Sequence, residues 1–277
     1  MGSSIAGRLV GVYQLLVSDT NPAAADELIQ RGATFASTDE IASSCSIVFL
    51  CLPGPPQVEE IVRGPGGLAS RLAPGSIVID TTTSIPVVDV EIAAALRQRD
   101  IDYVDAPISG GVRRARDGTA ALMVGAAPDV FAKVRDVLLT ITSDVIHVGP
   151  VGTGHAMKLV NNLLNGCNRF AALETVRLGQ AAGLEQDVII EVLNKSSGRN
   201  YATEATFPQL LSGDTYLPQG FSLELMLKDV RLANELASSL GHSTPIGTLV
   251  ERFTEEAITR FGARADQSQM MAEWYER

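Results

Sequence analysis

The chain has 277 residues, of which 45% are hydrophobic and 19% charged, so it can bury a substantial core and form two domains. Its net charge of −10, from 22 basic and 32 acidic residues, argues against a nucleic-acid binder and a polybasic membrane surface. The three cysteines lack paired metal-ligand spacing, and there is no signal-peptide pattern or apolar run of transmembrane length. These features predict a soluble cytoplasmic protein without a metal site.

The first predicted element is a helix over Met1–Leu9, with Gly2 near its start, followed by a strand over Gln14–Ser18 that ends in Asp19. A strand ending in an acid after a glycine-led helix is typical of the second half of a dinucleotide-binding unit. The first half, a strand and a loop with two more glycines, is not in this sequence. Asp19 either binds the adenosine ribose of NAD, which favours NAD over NADP, or starts a turn; this stretch alone leaves both open.

Up to about residue 150, short apolar runs alternate with helical patterns, beginning with a predicted helix over Pro22–Arg31 capped by Asn21. The runs are rich in β-branched residues and alternate little, as parallel strands buried on both faces do. They are SIVFLCL (46–52), SIVID (76–80), DYVDA (102–106), ALMVG (121–125) and DVIHVG (144–149), with helices over Pro86–Gln98 and Pro128–Thr140. This order predicts an α/β fold with a doubly wound sheet.

After residue 150 the pattern becomes helical, without a convincing strand. The predicted helices are His155–Ala182, Gln186–Asn194, Leu223–Ser239 and Thr244–Phe261. We therefore expect two domains, an α/β domain over residues 1–150 and an all-helical domain over residues 151–277, joined through a long helix that starts at the boundary.

Three stretches follow predicted strand ends, where ligands bind in a doubly wound sheet. Leu52 and Pro53 end one strand in CLPGPP, and Thr83 follows the next strand in DTTTS. In DAPISGG, the hydroxyl and the free backbone amides of Ser109–Gly111 suit a substrate carboxylate. Each stretch by itself is also consistent with an ordinary turn.

In GTGHAMKLVNN, the residues Gly154, Lys158 and Asn162 are spaced by four and share one helix face. Apolar neighbours would partly desolvate Lys158, which suits a lysine to proton transfer, and Gly154 would leave room on the same face. The alternative is a lysine that extends to solvent beside a surface asparagine.

Together these stretches resemble the β-hydroxyacid dehydrogenase family, which includes 3-hydroxyisobutyrate dehydrogenase and tartronate semialdehyde reductase. The matching motifs, in family order and over nearly the whole chain, are MGSSIA, VSDTNP, CLP with VEE, PGSIVIDTTTSIP, DAPISGG with DGTAALMVG, HVGPVGTGHAMKLVNN and LMLKD. The resemblance implies a Rossmann-type sheet followed by an all-helical domain for substrate binding and oligomerisation.

The resemblance also implies roles for particular residues. Lys158 would be the catalytic lysine and Asn162 would orient the substrate, while Ser109, Gly110 and Gly111 would hold its carboxylate. The residues that would contact the cofactor are Gly2, Asp19, Leu52, Pro53, Thr83 and Lys228.

The implied reaction is the reversible oxidation of a short 3-hydroxy acid to its semialdehyde by NAD, with Lys158 moving the hydroxyl proton. The implied partners are a small anionic hydroxy acid and further copies of the chain, as a homodimer or homotetramer. The sequence leaves open whether the substrate is 3-hydroxyisobutyrate, glycerate, threonate or a similar acid. Two alternatives are a non-catalytic oligomeric scaffold and an imine reductase, and Lys158 argues against both.

The chain departs from the family pattern at its start. The family's G-x-G-x-x-G loop has three glycines, and this chain has a counterpart only to the last of them, Gly2. Without the first strand, we expect two unpaired strand edges inside the sheet, weak NAD binding and low stability. We also expect the recorded start to be internal to a longer gene product. A second departure is Arg114, which we expect to face solvent because Arg113 and Arg116 flank it.

Overall fold

The computed structural model describes residues 1–210 and 218–273 and divides the chain into two compact units, Met1–Lys158 and Leu159–Arg277. The division falls inside one long helix, Thr153–Ala181. The domain boundary at residue 150 stays a prediction.

The first unit alternates strands and helices. Its strands are β1 (Leu16–Val17), β2 (Thr34–Phe35), β3 (Ile47–Leu50), β4 (Ile77–Asp80), β5 (Asp102–Asp105), β6 (Ile108–Ser109), β7 (Ala121–Gly125) and β8 (Asp144–Gly149). Its helices are α1 (Gly2–Leu9), α2 (Asp26–Gln30), α3 (Thr38–Ser44), α4 (Pro55–Arg63), α5 (Leu68–Arg71), α6 (Pro86–Arg97), α7 (Gly111–Asp117), α8 (Pro128–Ile141) and the start of α9 (Thr153–Ala181). The predicted helix at Pro22 begins as a 3₁₀ helix, Pro22–Ala25, and Asn21 makes no side-chain cap hydrogen bond.

The strands form two separate sheets. One is a six-stranded sheet in the order β3-β4-β5-β7-β6, with β8 also paired to β7, and the other is the parallel pair β1-β2. Pairs β3-β4, β4-β5 and β7-β8 are parallel, which confirms the predicted α/β class. β7 is antiparallel to β5 and β6, a direction that we did not predict because a strand buried on both faces looks alike in either orientation.

The core of the first unit lies on both faces of the six-stranded sheet. Helix α1 packs next to α7 and α8 and buries Ile5 and Leu9 in the cluster that covers one face of the sheet. All four residues of β4 are buried, as its unbroken apolar run predicted. Within the described residues β1 pairs only with β2, and β3 only with β4, so each strand has one edge without a strand partner.

In its described part the second unit consists of helices and their connections, with one isolated antiparallel bridge between Ser222 and Asp266. After α9 it contains α10 (Gln186–Asn194), a π-helix (Ala202–Thr206), α11 (Phe207–Leu210), α12 (Leu223–Ser239), α13 (Pro245–Phe261) and α14 (Gln267–Glu273). Residues Phe170, Leu173, Met226 and Val230 from α9 and α12 are at the centre of its core. Among the described residues, no helix combines the length and apolarity needed to cross a membrane.

Candidate active site

The start of α9 is attached to the end of β5 through a buried carboxylate. Asp105 accepts hydrogen bonds from the backbone N–H groups of Gly152 (2.7 Å) and His155 (2.8 Å), groups that a helix start otherwise leaves without partners. Gly125 on β7 leaves space for this carboxylate, since a Cβ there would lie 2.8 Å from its Cγ. Asp105 therefore attaches the first turn of α9 to the end of β5.

Gly154 allows α9 to approach the sheet closely. A Cβ at this position would lie 2.7 Å from the carbonyl oxygen of Asp105 and would also overlap the carbonyl oxygen of Met123. The expectation that Gly154 leaves room beside Lys158 is therefore wrong, because strand backbone fills the space. Position 154 requires a glycine because α9 packs closely on β5 and β7 there.

Lys158 contacts Ile108, the residue before the Ser109–Gly111 run, although the two are 50 positions apart in the sequence. Its Nζ donates a 2.8 Å hydrogen bond to the carbonyl oxygen of Ile108, and the side chain is half-buried. The two glycines that follow Ser109 have positive φ angles, 132° for Gly110 and 75° for Gly111. Glycine adopts these angles without strain, so the turn brings exposed backbone next to the lysine.

Arg114 is exposed, as predicted, and its guanidinium donates to the carbonyl oxygen of Thr119. Its side chain also covers Gly110, where a Cβ would come within 3.1 Å of the Arg114 Cβ. Arg114 therefore supports the glycine turn from its outer side.

In the second unit, a buried carboxylate holds Asn162. The side-chain Nδ2 of Asn162 donates a 2.6 Å hydrogen bond to Oδ2 of Asp229, a residue that is 4% exposed. Oδ1 of Asp229 lies 3.3 Å from the ammonium of Lys228, so one acid links two predicted site residues. We did not predict a role for Asp229, although it is the last residue of the LMLKD motif that signalled the resemblance.

Gly2 and Asp19, two of the residues predicted to contact the cofactor, lie at the start of a helix and just after a strand of the first unit. Gly2 begins α1 and lies next to Cys51. A Cβ added at Gly2 would be 3.5 Å from the Cβ of Cys51. Asp19 is exposed just after β1 and accepts a 2.8 Å hydrogen bond from the N–H of Asn21. Asp19 thus forms the turn that we considered as the alternative, and it is also open to solvent.

The other predicted cofactor residues follow β3 and β4, which are parallel neighbours and therefore end at the same edge of the sheet. Leu52 donates its N–H to Oγ1 of Thr82 at 3.0 Å, which ties the two strand ends together. Pro53 is exposed, and Thr83 is half-buried. With Asp19 after β1, these residues have the exposure and the strand-end positions that a dinucleotide requires.

A buried hydrogen-bond network lies behind the start of α9. Nδ1 of His155 is 2.7 Å from Oδ2 of Asp89, and both side chains are fully buried. The Tyr103 hydroxyl is 3.0 Å from Oδ2 of Asp80 and 3.2 Å from Oδ1 of Asp89. Asp80, Asp89 and His155 offer metal-ligand atoms within 4.8 Å of one another, but His155 and Tyr103 already bind the carboxylates.

This network changes the protonation of its members. Burial by itself lowers the pKa of His155, but the negative charges of Asp89, Asp80 and Asp105, with the hydrogen bond to Asp89, raise it to about 9. Burial raises the pKa of Asp105 to about 7. At neutral pH His155 is therefore a buried cation.

Both units match known protein families. Residues 1–149 match the model described as the NAD binding domain of 6-phosphogluconate dehydrogenase. Residues 152–274 match the model described as NAD-binding of NADP-dependent 3-hydroxyisobutyrate dehydrogenase.

Individual relatives cover nearly the whole chain. The chain is 36% identical to 2-(hydroxymethyl)glutarate dehydrogenase of Eubacterium barkeri, over 96% of this chain and 87% of the relative. It is 34% identical to an NAD-dependent L-serine dehydrogenase of Pseudomonas aeruginosa, over 90% of this chain and 86% of the relative. A solved structure of Mycobacterium tuberculosis 3-hydroxyisobutyrate dehydrogenase with L-serine superposes with a TM-score of 0.89 at 26% identity, covering 99% of this chain and 96% of that one.

The chain therefore belongs to the β-hydroxyacid dehydrogenase family, as its motifs predicted. It is an NAD(P)-dependent hydroxyacid dehydrogenase that acts on a small substrate. The roles of its individual site residues stay predictions.

Proposed function

We propose that the protein oxidises a short 3-hydroxy acid, or reduces its semialdehyde, with NAD as cofactor and Lys158 as general acid and base. The observation that carries the proposal is the position of Lys158 Nζ, 2.8 Å from the carbonyl oxygen of Ile108 and beside Ser109–Gly111. This arrangement has a proton carrier next to a turn of hydroxyl and backbone amide groups that suits a carboxylate.

In oxidation, the substrate carboxylate binds Ser109, Gly110 and Gly111, which directs the neighbouring carbinol toward Lys158. Neutral Lys158 takes the hydroxyl proton while the carbinol carbon loses its hydride. In reduction, protonated Lys158 returns the proton to the forming alkoxide. Bound NAD supplies the hydride acceptor at its nicotinamide.

Asn162 lies one helical turn after Lys158 on α9 and is the residue that we assign to orient the substrate hydroxyl. Its amide nitrogen donates to Asp229 at 2.6 Å, and its amide oxygen accepts a 3.0 Å hydrogen bond from Nδ2 of Asn161. A carbonyl oxygen can accept two hydrogen bonds, so one is left for the substrate hydroxyl. The ammonium of Lys228 lies 3.3 Å from the same carboxylate and balances its negative charge.

NAD rather than NADP is supported by Asp19, an exposed carboxylate after β1 that can bind ribose hydroxyls and repels a 2′-phosphate. We expect NADH to be preferred, and Asp19→Ala to reduce the NADH/NADPH ratio of kcat/KM by about 10-fold or more. Asp26→Ala, which removes an exposed acid from the first turn of α2, is the matched control. An unchanged ratio in Asp19→Ala would contradict this assignment.

A homodimer or homotetramer is supported by apolar side chains of α9 that are more than half exposed. Val160, Leu164 and Leu178 are 55%, 61% and 69% exposed. Clusters of this kind on one helix are typical of self-association surfaces. Light scattering coupled to size-exclusion chromatography measures the state, and a monomer of 29.3 kDa would contradict the proposal.

The reaction is tested by the loss of NADH absorbance with a panel of small 3-oxo acids, and by the gain of NADH absorbance when NAD is supplied with the matching hydroxy acids. The account predicts turnover with at least one pair. Folded protein that turns over none of them would contradict the proposal and favour a non-catalytic scaffold.

A further inference from the structure

A buried carboxylate shapes the end of β4, next to residues that we assign to the cofactor. Oδ1 of Asp80 accepts a 2.8 Å hydrogen bond from the N–H of Thr82. Oγ1 of Thr82 in turn accepts a 3.0 Å hydrogen bond from the N–H of Leu52. Both Asp80 and Thr82 are buried. Asp80 therefore fixes the turn that leads to Thr83 and, through Thr82, also holds the end of β3.

A second buried carboxylate holds the first turn of α9, which leads to Lys158. Oδ2 of Asp89, in the first turn of α6, is 2.7 Å from Nδ1 of His155. His155 precedes Lys158 by three positions, so the two residues lie on the same side of α9. The starts of α6 and α9 are also close, since a Cβ at Gly152 would lie 3.2 Å from the carbonyl oxygen of Pro86. The start of α6 therefore holds the helix turn that leads to Lys158.

The hydroxyl of Tyr103 lies between these two carboxylates. It is 3.0 Å from Oδ2 of Asp80 and 3.2 Å from Oδ1 of Asp89. Burial and the nearby carboxylates raise the pKa of Tyr103 well above its usual value of 10.0, so the hydroxyl keeps its proton and remains a donor. Removing the hydroxyl would leave two buried carboxyl groups close together without their shared donor, which is costly. Tyr103 therefore links the end of β4 to the start of α6.

We propose that Tyr103 is a positioning residue for hydride transfer, because its hydroxyl links the strand end before Thr83 to the helix turn before Lys158. The inference rests on the proposed function, in which Thr83 contacts the cofactor and Lys158 moves the proton. Hydride and proton leave adjacent atoms of the substrate, so cofactor and lysine must be held at a constant separation. Tyr103 is buried on β5 and acts through Asp80 and Asp89.

The test is the rate constant of a single turnover, measured by stopped flow with the protein in excess over NADH and with the best semialdehyde saturating. Tyr103→Phe removes the hydroxyl and keeps the buried ring. The rate constant, extrapolated to saturating protein, should fall by about 10- to 100-fold, the effect of a small displacement of the reacting groups. A purely structural role would reduce the fraction of active protein, which leaves this limiting rate constant unchanged.

Thr142→Val is the matched control. It removes another buried hydroxyl of the first unit, which donates a 3.1 Å hydrogen bond to the carbonyl oxygen of Gly118, and it should keep the wild-type limiting rate constant. His155→Gln is the second variant, in case Tyr103→Phe does not fold, and it should slow the same step because it breaks the link at α9. Thermal unfolding verifies that each variant is folded.

The outcomes separate the inference from the proposed function. If the wild-type protein transfers hydride to none of the semialdehydes, the proposed function fails and this inference with it. If the wild-type protein is active and folded Tyr103→Phe has a limiting rate constant within about threefold of it, only the inference is overturned. A Thr142→Val protein that is slowed as much as Tyr103→Phe also overturns only the inference. If Tyr103→Phe does not fold, a wild-type limiting rate constant in His155→Gln has the same meaning.

Discussion

The buried His155–Asp89 pair predicts that the protein loses stability as the pH rises above neutrality. His155 is fully buried, 2.7 Å from Asp89, and its pKa is raised from 6.5 to about 9. A group whose pKa is higher in the folded state stabilises that state fully below its unfolded value of 6.5. The contribution is lost as the pH rises through the folded value of about 9.

The size of the effect follows from the interval between 6.5 and about 9, which corresponds to roughly 3 kcal/mol of unfolding free energy. For a unit of this length, that is a decrease in Tm of about 6–12 °C. Asp105, whose pKa burial raises from 3.8 to about 7, lowers the stability as the pH rises between those two values, because it stays protonated in the folded state while it ionises in the unfolded state. It adds no slope above about pH 7. In the interval from about pH 7 to pH 10, the three thiols, whose pKa burial raises from 9.0, also lower the stability as the pH rises. The comparison with a histidine variant over that interval is therefore what isolates His155.

The assay is thermal unfolding followed by circular dichroism across that interval, for the wild-type protein, His155→Gln and His147→Gln. His147 is an exposed histidine of the same unit whose Nε2 contacts the carbonyl oxygen of Ala126, so its variant is the matched control. We expect His155→Gln to be less stable at pH 7 and to have a flatter dependence of Tm on pH. If its slope equals that of the wild-type protein and of His147→Gln, the buried-cation argument is refuted.

The remaining predictions concern the attachment of α9 and of Asn162. Gly154→Ala would place a Cβ 2.7 Å from the carbonyl oxygen of Asp105 and should lower the unfolding free energy by about 2 kcal/mol or more, measured by urea unfolding. Gly2→Ala is the control, because a Cβ at Gly2 would have its nearest contact at 3.5 Å, and it should change the unfolding free energy by less than about 1 kcal/mol. If the two substitutions changed the unfolding free energy equally, the packing argument would be contradicted. Asp229→Ala removes the 2.6 Å acceptor of Asn162 and should reduce kcat/KM by about 10- to 100-fold; wild-type kinetics would show that the hydrogen bond does not position the amide.

Much of the fold was predictable because its signals are local. The apolar runs of β4 and β7 and the helical spacing of α10 and α12 identified these elements, and for β7, α10 and α12 the predicted bounds equal the observed ones. The two-residue strands β2 and β6 were missed, since two residues carry no recognisable period. The capping box that begins α3, Ser37 with Glu40, was present in the sequence as STDE but was overlooked.

The site was predictable where motifs carried it and not where it depends on long-range contacts. Lys158 and the Ser109–Gly111 run were chosen separately, and the fold brings them together. Asp105 and Asp229 lie in recognised motifs, but their functions depend on partners 47 and 67 residues away in the chain.

The central claim is that Lys158 transfers the proton that accompanies hydride transfer. Its most direct test is kcat for NADH oxidation with the best semialdehyde, comparing Lys158→Met with Lys133→Met, a lysine of α8 that is 56% exposed and paired with Asp102. We predict that Lys158→Met loses a factor of about 10² to 10⁴ in kcat with Tm retained, and that Lys133→Met keeps wild-type kcat. A folded Lys158→Met protein with kcat within about threefold of wild type would contradict the claim.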